Sequence, residues 1–155
     1  MNVLVTAGTT PFDSLFAHLN ELAPRFPNMQ FIGQIGHGDY VPTAFPSFAF
    51  SNEFANQIDW ADAVITHAGA GTVYDLLERG KQCIVVANLE RKDKHQREIT
   101  KYVEDLGFAL ATTELADLES LLSKLAAFQP KPYEKTDFFL TDEIYNKLVV
   151  ALRDS

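Results

Sequence analysis

Short apolar runs that alternate with helically patterned segments constrain this chain more than any other feature. The first run, Asn2–Ala7 (NVLVTA), is apolar and rich in β-branched residues after its first position. That is the pattern of a strand covered on both faces. Similar runs recur at Gln30–Ile35, Ser47–Phe50, Ala63–His67, Gln82–Ala87 and Phe108–Ala111. Between them, side chains fall at helical spacing: Phe12, Leu15, Phe16, Leu19 and Leu22; Phe54, Ile58 and Ala61; Ile99, Tyr102, Val103 and Leu106; Leu115, Leu118, Leu121, Leu122 and Leu125. Thr10, Pro11 and Asp13 form a near capping box for the first of these helices, and Ser51 or Asn52 caps the second. Strand and helix in alternation predict an α/β fold: a doubly wound, mostly parallel, Rossmann-like sheet with helices on both faces.

The 155 residues suit one domain with its own core. No repeat or low-complexity tract divides it. The body is read as residues 1–128. Residues 129–155 are read as a Pro-broken connector followed by an amphipathic helix, Asp142 to about Arg153, with Ile144, Leu148, Val149 and Leu152 on one side. A net charge of −8 removes the basic footprint expected of a nucleic-acid or anionic-membrane binder. The lone Cys83 lies in an apolar run and reads as a small buried hydrophobe of a reducing compartment. No apolar stretch approaches the ~18 residues a membrane span needs. MNVLVTAG has neither the basic region nor the apolar length of a signal peptide. The expectation is a soluble cytoplasmic chain with no direct membrane insertion.

In a doubly wound sheet, ligands sit beyond the carboxyl ends of the strands where strand order reverses, commonly between the first and fourth. Both of those runs lead here into Gly-led turns: Gly8–Phe12 (GTTPF) and His67–Thr72 (HAGAGT). Two helix N-termini then face one crevice, each with unpaired amides and about half a positive charge. Gly8, Thr9 and Thr10 on one side, and Gly69, Ala70, Gly71 and Thr72 on the other, are the candidate anion cradle. Glycine at such turns serves plain chain reversal equally well. His67 ends its strand beside the glycines, within reach of a phosphate oxygen. Asp75, placed in the first turn of the following helix, either accepts from a ribose diol or merely stabilises the helix dipole. The loop after the fifth run, NLERKDKHQ, offers Asn88, Asp93, His95 and Gln96 to sugar hydroxyls, or is simply a solvated charged loop.

Familiar phosphate fingerprints do not fit. GAGTVY places Tyr74 where a dinucleotide motif needs glycine, and no G-x-x-x-x-G-K-[ST] occurs. The histidines are dispersed and no acids pair beside a strand end, so no metal site and no cofactor are expected. No Ser-His-Asp or Cys-His arrangement can be argued.

Taken together and in order, VTAGTTPFDSL, DWADAVITHAGAGTVYDLLERGKQCIVVAN and DKHQ resemble the C-terminal, donor-binding domain of family 28 glycosyltransferases. The likeness covers about Val3 to Leu110. It is closer to stand-alone versions: the small cytosolic subunit of the two-part enzyme that extends the dolichol-linked sugar with N-acetylglucosamine, and small subunits of bacterial capsule and exopolysaccharide transferases. The resemblance implies a GT-B half-enzyme that binds a UDP-sugar. Carried across, Gly69, Ala70, Gly71 and Thr72 match the diphosphate turn, Asp75 the ribose-holding acid, and His95 and Gln96 the polar pair near the donor sugar. Gly8, Thr9 and Thr10 match the loop facing phosphates and acceptor, and Phe50–Asn52 the base-binding loop. The family more often has Glu where Asp75 stands, and proline at Gln82 and Ala87. An enzyme of this kind places its acceptor in a second domain, for which this chain is expected to have no room. The resemblance therefore implies a membrane-associated partner subunit carrying the lipid-linked sugar acceptor and the general base, with activity only in its company. The final helix is the expected docking element. A non-catalytic nucleotide-sugar sensor or scaffold subunit, and an epimerase working on the same turns, remain the alternatives.

Overall fold

A computed structural model of the chain describes residues 1–90 and 94–135. The expected helix at Asp142–Arg153, and Asp93, lie outside the described residues. Six strands, β1 (Asn2–Thr6), β2 (Gln30–Gln34), β3 (Ser47–Phe48), β4 (Ala63–His67), β5 (Gln82–Val86) and β6 (Leu110–Thr112), form one sheet in the order β3-β2-β1-β4-β5-β6. Every neighbouring pair is parallel. The chain winds outward from β1 to β3, then returns across β2 and β1 to β4 and winds the other way. Order therefore reverses between β1 and β4, whose registers align Thr6 with Thr66.

Among the described residues five α-helices cover the sheet: α1 (Asp13–Leu22), α2 (Phe54–Trp60), α3 (Ala70–Glu78), α4 (Lys94–Asp105) and α5 (Leu118–Leu125). The strand pleat sorts side chains between two cores. Val3 and Val5 of β1, Ala63 and Ile65 of β4, and Ile84 and Val86 of β5 pack with Leu15, Phe16 and Leu19 of α1 and Leu118, Leu122 and Leu125 of α5. The intervening Leu4, Val64, Cys83 and Val85 pack with Ile58 of α2, Val73, Leu76 and Leu77 of α3 and Val103 of α4. A strand buried on both faces has no polar side to display, so the strands read as continuous apolar runs. At roughly 1.5–3 kcal/mol per fully buried large aliphatic side chain, these two cores hold the fold together.

Several element ends differ from the sequence expectation. Helix α1 starts at Asp13, not after Thr10, and no side chain caps it. The Thr10 amide turns back to the Ala7 carbonyl at 3.3 Å, while the Asp13 carboxylate accepts from the amides of Asp39 and Tyr40. The acid is used to pin the loop after β2 rather than its own helix. Ser51 Oγ accepts from the Glu53 amide at 3.0 Å, closing a local turn ahead of α2. Phe108 lies before β6, packed edge-on against Tyr133 with ring centroids 5.4 Å apart. Tyr133 also meets Tyr74 at 5.8 Å, and the Lys131 amide donates to the Gly107 carbonyl at 2.9 Å. These contacts dock residues 131–135 of the connector on the α3–α4 side.

Candidate functional site

The carboxyl ends of β1 and β4 bring the two Gly-led turns together. Gly8 sits at φ 63°, a left-handed conformation open to glycine. A Cβ built on it would lie 2.9 Å from His67 Cε1, and one built on Gly69 would collide with His67 Nε2. Side chains on the two turns would thus both run into the Cε1–Nε2 edge of one imidazole, and glycine at both leaves room for the His67 ring. The His67 ring is buried, 8% exposed. Burial pushes its pKa down, with the Thr6 backbone opposing. Its Nδ1 has no hydrogen-bond partner among the described residues. An orphaned buried nitrogen of this kind is costly unless something else satisfies it.

Helix α3 begins at Ala70 with Gly69 as its N-cap, and no side chain caps it. The first intrahelical bond runs from the Val73 amide to the Gly69 carbonyl at 3.0 Å. The amides of Ala70, Gly71 and Thr72 precede that bond and have no carbonyl one turn behind them. A Cβ at Gly71 would meet nothing within 4 Å. The missing side chain leaves open space directly over the positive end of the helix. An uncapped helix start with clearance above it is a favourable place for an anion.

The loop after β1 is less generous than its sequence suggests. The Gly8 amide is already committed, donating to Thr6 Oγ1 at 3.1 Å, and the Thr10 amide is committed to Ala7. Thr9, exposed at the tip, makes no amide hydrogen bond among the described residues. Of Gly8, Thr9 and Thr10, only Thr9 retains a main-chain donor.

Asp75 is the sixth residue of α3, so it stands in the second turn and not the first as expected, because the glycine turn winds into helix as early as Ala70. Five residues at 1.5 Å rise place it about 7.5 Å along the axis from the helix start. Gly71 and Asp75 are four apart and both exposed, so they share one face. Both Asp75 carboxylate oxygens accept from Arg79 Nε at 3.1 Å, and Arg79 also reaches Asp59 at 3.5 Å.

Asn88 and Gln96 are drawn into the fold rather than left at its rim. Asn88 is fully buried. Its Nδ2 donates to the Pro11 carbonyl at 2.9 Å and its Oδ1 accepts from the Glu90 amide at 3.1 Å. Gln96 Oε1 accepts from the Asn88 amide at 2.8 Å. These polar groups shape the loop after β5 from within, so the expected contact of Asn88 with a sugar hydroxyl is corrected to a structural tie. His95 stands exposed, its Nδ1 3.4 Å from Glu98. Phe50, after β3, is exposed and edge-on to His37 at 4.8 Å.

One supporting residue escapes the sequence reading. Gln34, buried at the end of β2, accepts from the Thr6 hydroxyl and donates from Nε2 to the Gly8 carbonyl at 3.3 Å. The only signal is a second glutamine, closing the strand QFIGQ.

An all-parallel, doubly wound sheet with an uncapped helix start at its point of reversal defines a Rossmann-like domain. Residues 2–146 match the model of the glycosyltransferase family 28 C-terminal domain, and the chain belongs to that family. The human protein named UDP-N-acetylglucosamine transferase subunit ALG13 is 36% identical over 119 residues, which cover 68% of this chain and 10% of the human protein. The chain thus spans about a tenth of that relative's length. In fold it resembles Acinetobacter baumannii MurG, with a TM-score of 0.66 at 21% identity over 81% of this chain and 41% of MurG. It also resembles the solution structure of ALG13, with a TM-score of 0.59 at 20% identity over 88% of this chain and 90% of that one. Among the described residues no helix is long and apolar enough to cross a membrane.

Proposed function

We propose that this chain is the donor-binding subunit of a two-component glycosyltransferase. It holds a UDP-sugar while a membrane-associated partner subunit presents a lipid-linked acceptor. The observation that carries the reading is the uncapped start of α3, open above Gly71 and facing the Gly8 turn across His67. UDP-N-acetylglucosamine is the donor that the relatives' names favour.

Each site residue then has a role set by chemistry. The amides of Ala70, Gly71 and Thr72, with the Thr72 hydroxyl and the Thr9 amide, receive the diphosphate. His67, beside both glycine turns, donates to a phosphate oxygen. Asp75, further along the same helix face, accepts from the ribose hydroxyls once Arg79 yields. His95 borders the sugar, and Gln96 holds the loop after β5 in shape behind it. As the glycosidic bond breaks, negative charge builds on the departing diphosphate. Fixed amides and the helix dipole meet that charge more strongly in the transition state than in the ground state. That stabilisation needs no metal ion. The general base belongs to the partner, and the chain works on the cytoplasmic side of the membrane to which the partner recruits it.

Saturation-transfer NMR of this chain against a panel of UDP-sugars tests donor binding, with UDP-N-acetylglucosamine expected to give the strongest signals. Mixing the chain with its partner, the donor and a lipid-linked acceptor then tests transfer. Binding without product identifies a sensor, and conversion of the donor with no partner present identifies an epimerase.

A further inference from the structure

Thr6, Gln34 and Gly8 form a closed hydrogen-bonded ring. The Gly8 amide donates to Thr6 Oγ1 at 3.1 Å, the Thr6 hydroxyl donates to Gln34 Oε1, and Gln34 Nε2 donates back to the Gly8 carbonyl at 3.3 Å. Thr6 is fully buried and Gln34 nearly so, 6% exposed. The ring consumes both main-chain groups of a glycine held at φ 63°. Two buried side chains from neighbouring strands, each fixed by sheet pairing at Thr6↔Gln34, thereby set the one residue whose conformation aims the rest of the loop. Thr9, the next residue, keeps its amide unclaimed among the described residues. Buried polar groups in a satisfied network favour one arrangement, since any other leaves a desolvated donor or acceptor.

We infer that Gln34, acting through Thr6 and the Gly8 peptide, is a positioning residue that presents the Thr9 amide to the bound diphosphate. Neither Gln34 nor Thr6 touches the ligand. This rests on the proposed function, because it takes the anion at the β1–β4 crevice as given.

Thr6→Val removes the hydroxyl that both accepts and donates, whereas Thr6→Ser keeps it. Gln34→Glu keeps an acceptor for Thr6 but loses the donor to Gly8. Titration of each full-length variant with UDP is expected to show affinity lowered fivefold or more in Thr6→Val and Gln34→Glu, and within twofold of wild type in Thr6→Ser. A role in bulk packing alone would not be restored by serine, which lacks the threonine methyl. Amide exchange on the wild-type chain gives a measurement that needs no variant to fold: Gly8 is expected to be protected and Thr9 to exchange freely until UDP is added. Folded Thr6→Val and Gln34→Glu chains that bind UDP like wild type overturn the inference, as does a Gly8 amide that exchanges as fast as Thr9. A wild-type chain that binds no UDP instead overturns the function proposed above, and this inference with it.

Discussion

Asn88 ties the loop after β5 to the loop after β1, its buried side-chain amide donating to the Pro11 carbonyl at 2.9 Å. The bond crosses the point where strand order reverses, so it fixes the spacing of the crevice walls. In Asn88→Asp the buried carboxylate cannot donate, and it faces the Pro11 carbonyl. The substitution should destabilise the fold by about 1–3 kcal/mol, the usual cost of an unsatisfied buried polar group. Urea denaturation measures it, and an unchanged midpoint would show that the tie is dispensable.

Gly71 separates binding from folding. A side chain there meets open space in the free protein, and its position in the first turn tolerates substitution. Gly71→Val should melt within a few degrees of wild type. The valine nevertheless fills the volume in front of the α3 amides. Calorimetry should show UDP affinity reduced roughly tenfold or more, about 1.4 kcal/mol. Unaltered affinity would place the anion elsewhere.

Asp75 and Arg79 form an exposed ion pair at 3.1 Å, about half and a third exposed respectively. Pairs of this kind are worth less than about 1 kcal/mol, so Asp75→Asn should leave stability nearly unchanged. Asp75 lies along the helix from the anion-binding end. The variant should therefore weaken UDP severalfold and leave pyrophosphate binding alone. Arg79→Ala frees the carboxylate and should not reproduce the loss.

His67 makes stability depend on pH with a definite sign. Its native pKa is lowered by burial, while the unfolded imidazole titrates near 6.5. Above that value both states are neutral. Below it the unfolded chain takes up a proton that the native ring resists, so stability falls as pH drops from about 6.5 toward the lowered native value. Thermal melts between pH 7 and 5 should show a steeper loss for wild type than for His67→Asn. Parallel profiles would mean that the ring charges freely in the fold.

Tyr133 anchors the connector on two aromatic rings, those of Tyr74 and Phe108. Aromatic pairs contribute about 0.5–1.5 kcal/mol each beyond area burial. Tyr133→Ala should lower unfolding free energy by roughly 1–3 kcal/mol, and limited proteolysis should cut near residue 131 faster than in wild type. Equal cleavage rates would mean that the ring contacts do not hold the connector.

The sheet was legible because strands such as Ala63–His67 are buried along their whole length and are apolar up to their last two residues. Helix starts were less so. A Thr-Pro-x-Asp stretch looks like a cap whether the acid serves its own helix or, as Asp13 does, a loop 26 residues away. Asn88 and Gln96 read as contacts to sugar hydroxyls or as part of a solvated loop, since sequence does not reveal whether a polar side chain in a loop turns inward. Gln34 was passed over for the opposite reason: one glutamine at a strand end carries no pattern, and its meaning depends on a threonine in the neighbouring strand. Sequence puts glycines in both turns, but the reason that Gly8 and Gly69 are glycine, one imidazole edge that both approach, requires three dimensions.

The tip after β1 is braced from both flanks, by Gln34 on one side and Asn88 on the other. A mould set before the guest arrives leaves little chain to freeze on association. Capture of the nucleotide should therefore be quick and carry a small entropic toll, and the free and loaded shapes of this tip should superimpose.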